Sequence, residues 1–301
     1  MPALPSLFID KLAVTIPLSN YRQQDTREAA SDSLHSWDEF IAWERPFNGN
    51  YRFRITFTAP NGKTAAIFLD PKNSAHNFFK LEYSPHNLEP EGRSLLGEYL
   101  RDILGEEYLT DIREGDLRRL DVAFDIRRIR LKDLLIIDRE GRKSCIYRGQ
   151  DGEAETYYFP EKGSRQLCVY DKLRQHEHQH GASPPNRRRS PWVRFEYRFT
   201  SLNNYTLNNI GRKDNPFQDF DVRIFGMPEL PLRIAPGLLR MFFDACRTAG
   251  AESVLAEIPD TATRDYLGLA YRSFPVPEFW LRRTSIWGTG FPRAIENALP
   301  R

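Results

Sequence analysis

Four short segments place carboxylates, bases and a tyrosine on strand faces. In RRLDVAFD (118–125), Arg119, Asp121 and Asp125 fall on one face of an extended chain, with Leu120, Val122 and Phe124 on the other. In VRFEYRF (193–199), Arg194, Glu196 and Arg198 share a face. Lys80 and Glu82 do so in FKLEY (79–83), and Cys168, Tyr170 and Lys172 in LCVYDK (167–172). On one sheet surface they would supply carboxylates for a hard divalent cation, bases for phosphates, and a phenol. That inventory suits tyrosine-mediated phosphoryl transfer. A free phenol ionises only near pH ~10, so it needs help. Lys172 and a metal would favour the phenolate, and the metal would also polarise the phosphate. The expected cofactor is Mg²⁺ or Mn²⁺, held by Asp121 and Glu196 with Glu82 as a third ligand. Lys172, Arg119 and Arg194 would hold phosphates. The competing reading makes these the solvent faces of half-exposed antiparallel strands, with lysine–glutamate cross-strand pairs.

The elements that must position these residues are legible as short patterns. LFIDKLAVTI (7–16), YRFRITF (51–57), TAAIFL (64–69) and FFKLEY (78–83) read as strands, with an Asn61-Gly62 hairpin turn. Leu34, Trp37, Phe40 and Ile41 suggest a first helix. Leu95, Leu96, Tyr99, Leu100, Ile103 and Leu104 suggest a second. The second half has strands at 118–126, 166–172 and 192–199, a hairpin at Asp151-Gly152, and a short helix at LKDLLIID (131–138). Trp192 reads as core packing. The tract His176-Glu177-His178-Gln179-His180 reads as the opening of a surface loop, with metal ligation the alternative.

The two halves resemble each other. Phe79-Lys80-Leu81-Glu82-Tyr83 parallels Val193-Arg194-Phe195-Glu196-Tyr197; 72 residues separate Asp10 from Glu82, and 75 separate Asp121 from Glu196. The expected fold is α+β: a curved, mostly antiparallel sheet from two pseudo-repeated halves with flanking helices, plus a helical C-terminal region. The expected domains are 1–213, with pseudo-repeats at about 7–105 and 118–211, and 214–301, assigned to origin recognition. In the latter, Leu238, Leu239, Phe242, Phe243 and Cys246 outline an amphipathic helix, and Thr261 or Thr263 could cap another.

Composition bounds the function. The chain has 301 residues, 40% hydrophobic and 28% charged, with a formal net charge of +2, which excludes global disorder and a uniformly basic nucleic-acid coat. Three cysteines exclude a disulfide framework and fit a cytoplasmic protein. No stretch reaches the roughly 18 apolar residues of a membrane span, so no membrane partner is expected. Charge is uneven: residues 160–213 carry eleven Lys/Arg against four acids, a net of +7. Arg174, Arg187, Arg188 and Arg189 lie in this field, which suits a polyanion.

The segments RLDVAFD (119–125), IYRGQDGEAETYYF (146–159), QLCVYDK (166–172) and WVRFEYRF (192–199), in this order, resemble the trans-acting rolling-circle replication initiators of small plasmids. Relatives of that family include filamentous-phage initiators and nicking relaxases of integrative elements. LFIDKLAVTI and FFKLEYSPHNL resemble its N-terminal strands, so the likeness spans roughly 7–211. The sequence departs at Pro160, where the family often has glycine. The resemblance implies that the tyrosine of the Y-x-K motif, here Tyr170, links covalently to DNA. The implied activity is metal-dependent, site-specific nicking and rejoining through a 5′-phosphotyrosyl intermediate, which leaves a 3′-OH for a polymerase. The implied partners are double-stranded origin DNA and single-stranded DNA, with host helicase and polymerase; a homodimer stays open. The alternatives are a relaxase of an integrative conjugative element and a non-catalytic origin-binding regulator.

Overall fold

The computed structural model describes residues 5–44, 49–139, 144–160, 165–181, 190–199, 202–224, 235–281 and 283–301. The first half contains β1 (Phe8–Ile16), α1 (Asn20–Ser36), β2 (Ile41–Glu44), β3 (Tyr51–Thr58), β4 (Thr64–Pro71), β5 (Phe79–Tyr83), α2 (Pro85–Leu104) and α3 (Tyr108–Glu114). The second contains β6 (Asp116–Arg127), β7 (Leu134–Asp138), β8 (Cys145–Arg148), β9 (Ala154–Pro160), β10 (Arg165–Asp171), α4 (Lys172–His180) and β11 (Trp192–Phe199). The C-terminal region adds β12 (Phe220–Ile224), α5 (Pro236–Ala249), α6 (Ala251–Glu257), α7 (Thr261–Ser273), α8 (Glu278–Leu281) and α9 (Arg283–Ala298). The fold is α+β with a large, mostly antiparallel sheet and flanking helices, as expected. Among the described residues no helix is long and apolar enough to cross a membrane.

The chain divides into two compact units, differently from the expected 1–213 and 214–301. One, here the Glu82 unit, comprises 7–122, 199–213 and 289–301. The other, the Tyr170 unit, comprises 1–6, 123–198 and 214–288. The C-terminal elements are divided between them because each supplies missing core.

In the Glu82 unit the strand order is β2-β3-β4-β5-β1-β6. The Asn61-Gly62 turn joins β3 to β4: Gly62 takes φ 74°, and Asn61 Oδ1 accepts from Lys63 N at 3.0 Å. The first helix ends at Ser36, earlier than expected, and Ile41 opens β2 instead, pairing with Phe57. The chain terminus closes this unit: the buried Tyr83 hydroxyl donates to the Ala298 carbonyl at 2.7 Å, and Arg113 meets Glu296 at 2.7 Å.

In the Tyr170 unit the order is β6-β11-β10-β9-β8. Each half therefore sets its first strand beside its last and then steps back through the meander: β1-β5-β4-β3-β2 and β6-β11-β10-β9-β8. The segment 131–138 is not a helix. A 3₁₀ turn at Leu131–Asp133 leads into β7, which pairs antiparallel with β12. The unbroken run Leu134-Leu135-Ile136-Ile137 is buried on both faces, and such a run has no period with which to tell strand from helix. Leu239, Phe242, Phe243 and Cys246 of α5 pack on Leu135 and Ile137, while Leu238 is exposed. Phe124 stacks on Phe195 at 5.0 Å, and Phe217 and Trp280 complete an aromatic cluster around them. Such pairs contribute roughly 1 kcal/mol each beyond their buried area. Asp260, rather than either threonine, caps α7.

Candidate active site

Strand β10 pairs with β9 so that Tyr170 stands opposite Thr156, Cys168 opposite Tyr158, and Val169 opposite Tyr157. Directly opposed residues share a face, so Tyr170, Thr156, Cys168 and Tyr158 lie on one side of the pair. Tyr157 lies on the other, where the Arg247 guanidinium is 5.7 Å from its ring centre. The pleat thus separates two tyrosines of the same short region.

The Tyr170 hydroxyl donates to Glu196 Oε2 at 2.9 Å, and Arg198 Nε donates to Glu196 Oε1 at 2.6 Å. Tyr170 is 5% exposed and Glu196 3%. Arg198 sits two residues beyond Glu196 on β11, hence on the same strand face. Arg194, two residues before, makes a two-pronged pair with Asp125 at 2.7 and 3.1 Å. Arg194 and Glu196 on this face of β11 are therefore buried and ion-paired, with Arg198 half-buried beside them, so the face is not a plain solvent face. Burial holds the Cys168 thiol up, at about 12; Arg198 opposes and Glu196 adds to this shift. The thiol stays protonated at neutral pH and is a poor nucleophile.

Helix α4 begins directly after Asp171, whose Oδ1 accepts from Leu173 N and Arg174 N at 3.0 and 3.1 Å. Gly181 closes it in the left-handed region, at φ 68°. The histidine tract is thus helical rather than an opening loop. The aspartate and glycine bracketing it were the available signal. Lys172 Nζ lies 5.6 Å from the Tyr170 ring centre and donates to Gln175 Oε1 at 2.7 Å. Arg174 reaches back to Asp151, Glu153 and Glu155 at 2.6, 3.3 and 3.1 Å. Its hydrogen bond is the main cause pulling the Asp151 carboxyl down to about 2. A cleft of about 320 Å³ opens beside Tyr170, lined also by Arg198 and by residues of β9 and α4.

Of the other expected site residues, Asp121 is 1% exposed and gripped by Arg119, with 2.6 Å at the closest approach. Glu82 pairs with Lys11 at 2.7 Å and Lys80 at 3.1 Å. Arg187, Arg188 and Arg189 lie outside the described residues. Among the described residues no three His, Cys, Asp or Glu side chains stand together as a metal-ligand group. A hard cation would have to displace Arg119 from Asp121, Arg198 from Glu196, or the lysines from Glu82. As arranged, the donors do not fit Mg²⁺ or Mn²⁺. Sequence reasoning placed Arg198 on the right face but gave it no task. Trp192 is buried as expected, with the Arg127 guanidinium 3.5 Å from its ring centre.

The arrangement can deliver a phenolic oxygen while moving its proton to a carboxylate already in contact. Arg198 fixes the plane of that carboxylate and balances its charge. No family model matches the chain, and no curated protein matches it. Among solved structures, the crystal structure of the di-domain ARO/CYC BexL from the BE-7585A biosynthetic pathway aligns over 90% of this chain and 99% of its own. Its identity is 9% and its TM-score 0.15, so it carries no argument.

Proposed function

We propose that the protein nicks and rejoins DNA through Tyr170 to initiate rolling-circle replication. The observation that carries this reading is the Tyr170–Glu196–Arg198 chain, its tyrosine and carboxylate buried, beside a cleft. Tyr170 Oη bonds to the scissile phosphorus as its proton passes to Glu196. The bond from phosphorus to the 3′ oxygen breaks, and that oxygen takes a proton from water. A 5′-phosphotyrosyl enzyme and a free 3′-OH result, the latter a primer for a host polymerase acting with a helicase. Rejoining is the reverse, with Glu196 returning the proton. Lys172, next to the tyrosine, supplies positive charge as the phosphorane forms. Supercoiled DNA carrying candidate origins, incubated with the full chain, should become nicked with protein on the 5′ end. Binding without nicking would leave the protein a DNA-binding regulator.

A further inference from the structure

One face of α4 borders the same cleft as Tyr170. Asp171, Arg174, Gln175, His178 and Gln179 all line it, and Gln175, His178 and Gln179 follow the three- and four-residue spacing of neighbours on a helix surface. The face is wholly polar. Its two ends differ in freedom: Asp171 is committed to capping the helix and Arg174 to three acids. Gln179, His178 and the NH₂ group of Gln175 are left to meet whatever enters. Gln175 is already oriented, because Lys172 Nζ donates to its carbonyl oxygen and so turns its NH₂ away from the lysine. The cleft's volume lies at the small end of ligand pockets, about 300–1,000 Å³, and suits one small planar unit.

We infer that α4 reads the base of the nucleotide next to the scissile phosphate, through Gln175 and Gln179. This rests on Tyr170 being the nucleophile, because the tyrosine fixes where the phosphate must sit. A side-chain amide matches adenine, donating to N7 and accepting from the N6 amino group. That edge is not used in Watson–Crick pairing, so it is open in single strands as well as in a major groove. Origin choice at the nick is then made by the helix that follows the nucleophile, and not by the C-terminal helices alone.

The test uses a short, randomised single-stranded DNA pool and two readouts. Covalent capture by the wild-type chain reports the nucleophile; equilibrium retention by Tyr170→Phe reports base preference without chemistry. Retained DNA should be enriched in adenine at one position by roughly tenfold. Adding Gln175→Ala and Gln179→Ala to Tyr170→Phe should flatten that position, lowering retention of adenine-bearing DNA roughly tenfold to the level of the other bases, whose retention is unchanged. Alanine favours the helix, so α4 persists. An unflattened profile overturns the inference even when covalent capture succeeds. A flattened profile without any covalent capture upholds base reading by α4 and overturns the nucleophile. Retention of no DNA overturns both.

Discussion

The last strand of each half carries the same pattern, yet its glutamate ends in different company. Glu82 on β5 faces Ala66 across the strand pair and is held by Lys11 and Lys80, its side chain 26% exposed. Glu196 on β11 is held by Arg198 and a tyrosine hydroxyl, its side chain 4% exposed. The first arrangement is a half-exposed cross-strand ion pair, of the kind worth about 0–1 kcal/mol. The second is largely buried and puts a tyrosine hydroxyl on the carboxylate. The difference lies in the neighbouring strand, which brings a hydroxyl to Glu196, and in the burial of both groups.

The largest expected effect asks whether either half stands without the C-terminal elements. A chain ending at residue 213 loses β12 from β7, Trp280 from the Phe124–Phe195 stack, and the Ala298 carbonyl from Tyr83. It should lose cooperative unfolding in a thermal scan. A sharp transition near that of the full chain would make 214–301 a true appendage. Next come the two glutamates themselves. Glu196→Gln should lower nicking about 100-fold, the usual weight of a general base, whereas Glu82→Gln should leave it unchanged. Equal losses in a cleavage assay would erase the distinction and join both carboxylates in one task, as a metal pair would.

A smaller effect concerns stability alone. Asp125→Ala removes the two-pronged acidic partner of the buried Arg194 guanidinium and should cost on the order of 3 kcal/mol in denaturant unfolding. A loss below the error of the measurement would mean that Arg194 finds another partner. The smallest is the acid limb. Burial pushes the Glu82 carboxyl up, but Lys11 and Lys80 outweigh it, so its pKa is below the ordinary value. The stabilisation is then present above the unfolded pKa, about 4.3, and is lost as pH falls through the lower folded pKa. Wild type should lose slightly more stability than Glu82→Gln between those pH values. Coincident acid limbs would show that the lysines do not hold the carboxylate.

The sequence made most strands, both Xaa-Gly turns and the shared strand pattern legible, because period-two alternation and positive-φ glycines are local signals, while β2 and the strand order were not. It placed Tyr170, Glu196 and Arg198 on faces but could not say which faces are buried. Burial of the Arg194 and Glu196 side depends on long-range packing. Residues 134–137 misled because an apolar run carries no period. The helical nature of 172–180 was missed because its composition is polar all round, although Asp171 and Gly181 marked its ends. The division of the C-terminal region between two units depends on contacts such as Tyr83 with Ala298, far apart in sequence, which no local pattern announces.

Whether Tyr170 is the residue that joins DNA is settled by mapping the DNA-linked residue. Supercoiled DNA is cleaved by the full chain, the protein is digested, and the nucleotide-bearing peptide is identified by mass spectrometry. A single modified peptide is expected, with the nucleotide on Tyr170 and absent in Tyr170→Phe. A nucleotide on Tyr157 or Tyr158, or nicking by Tyr170→Phe at the wild-type rate, would contradict it.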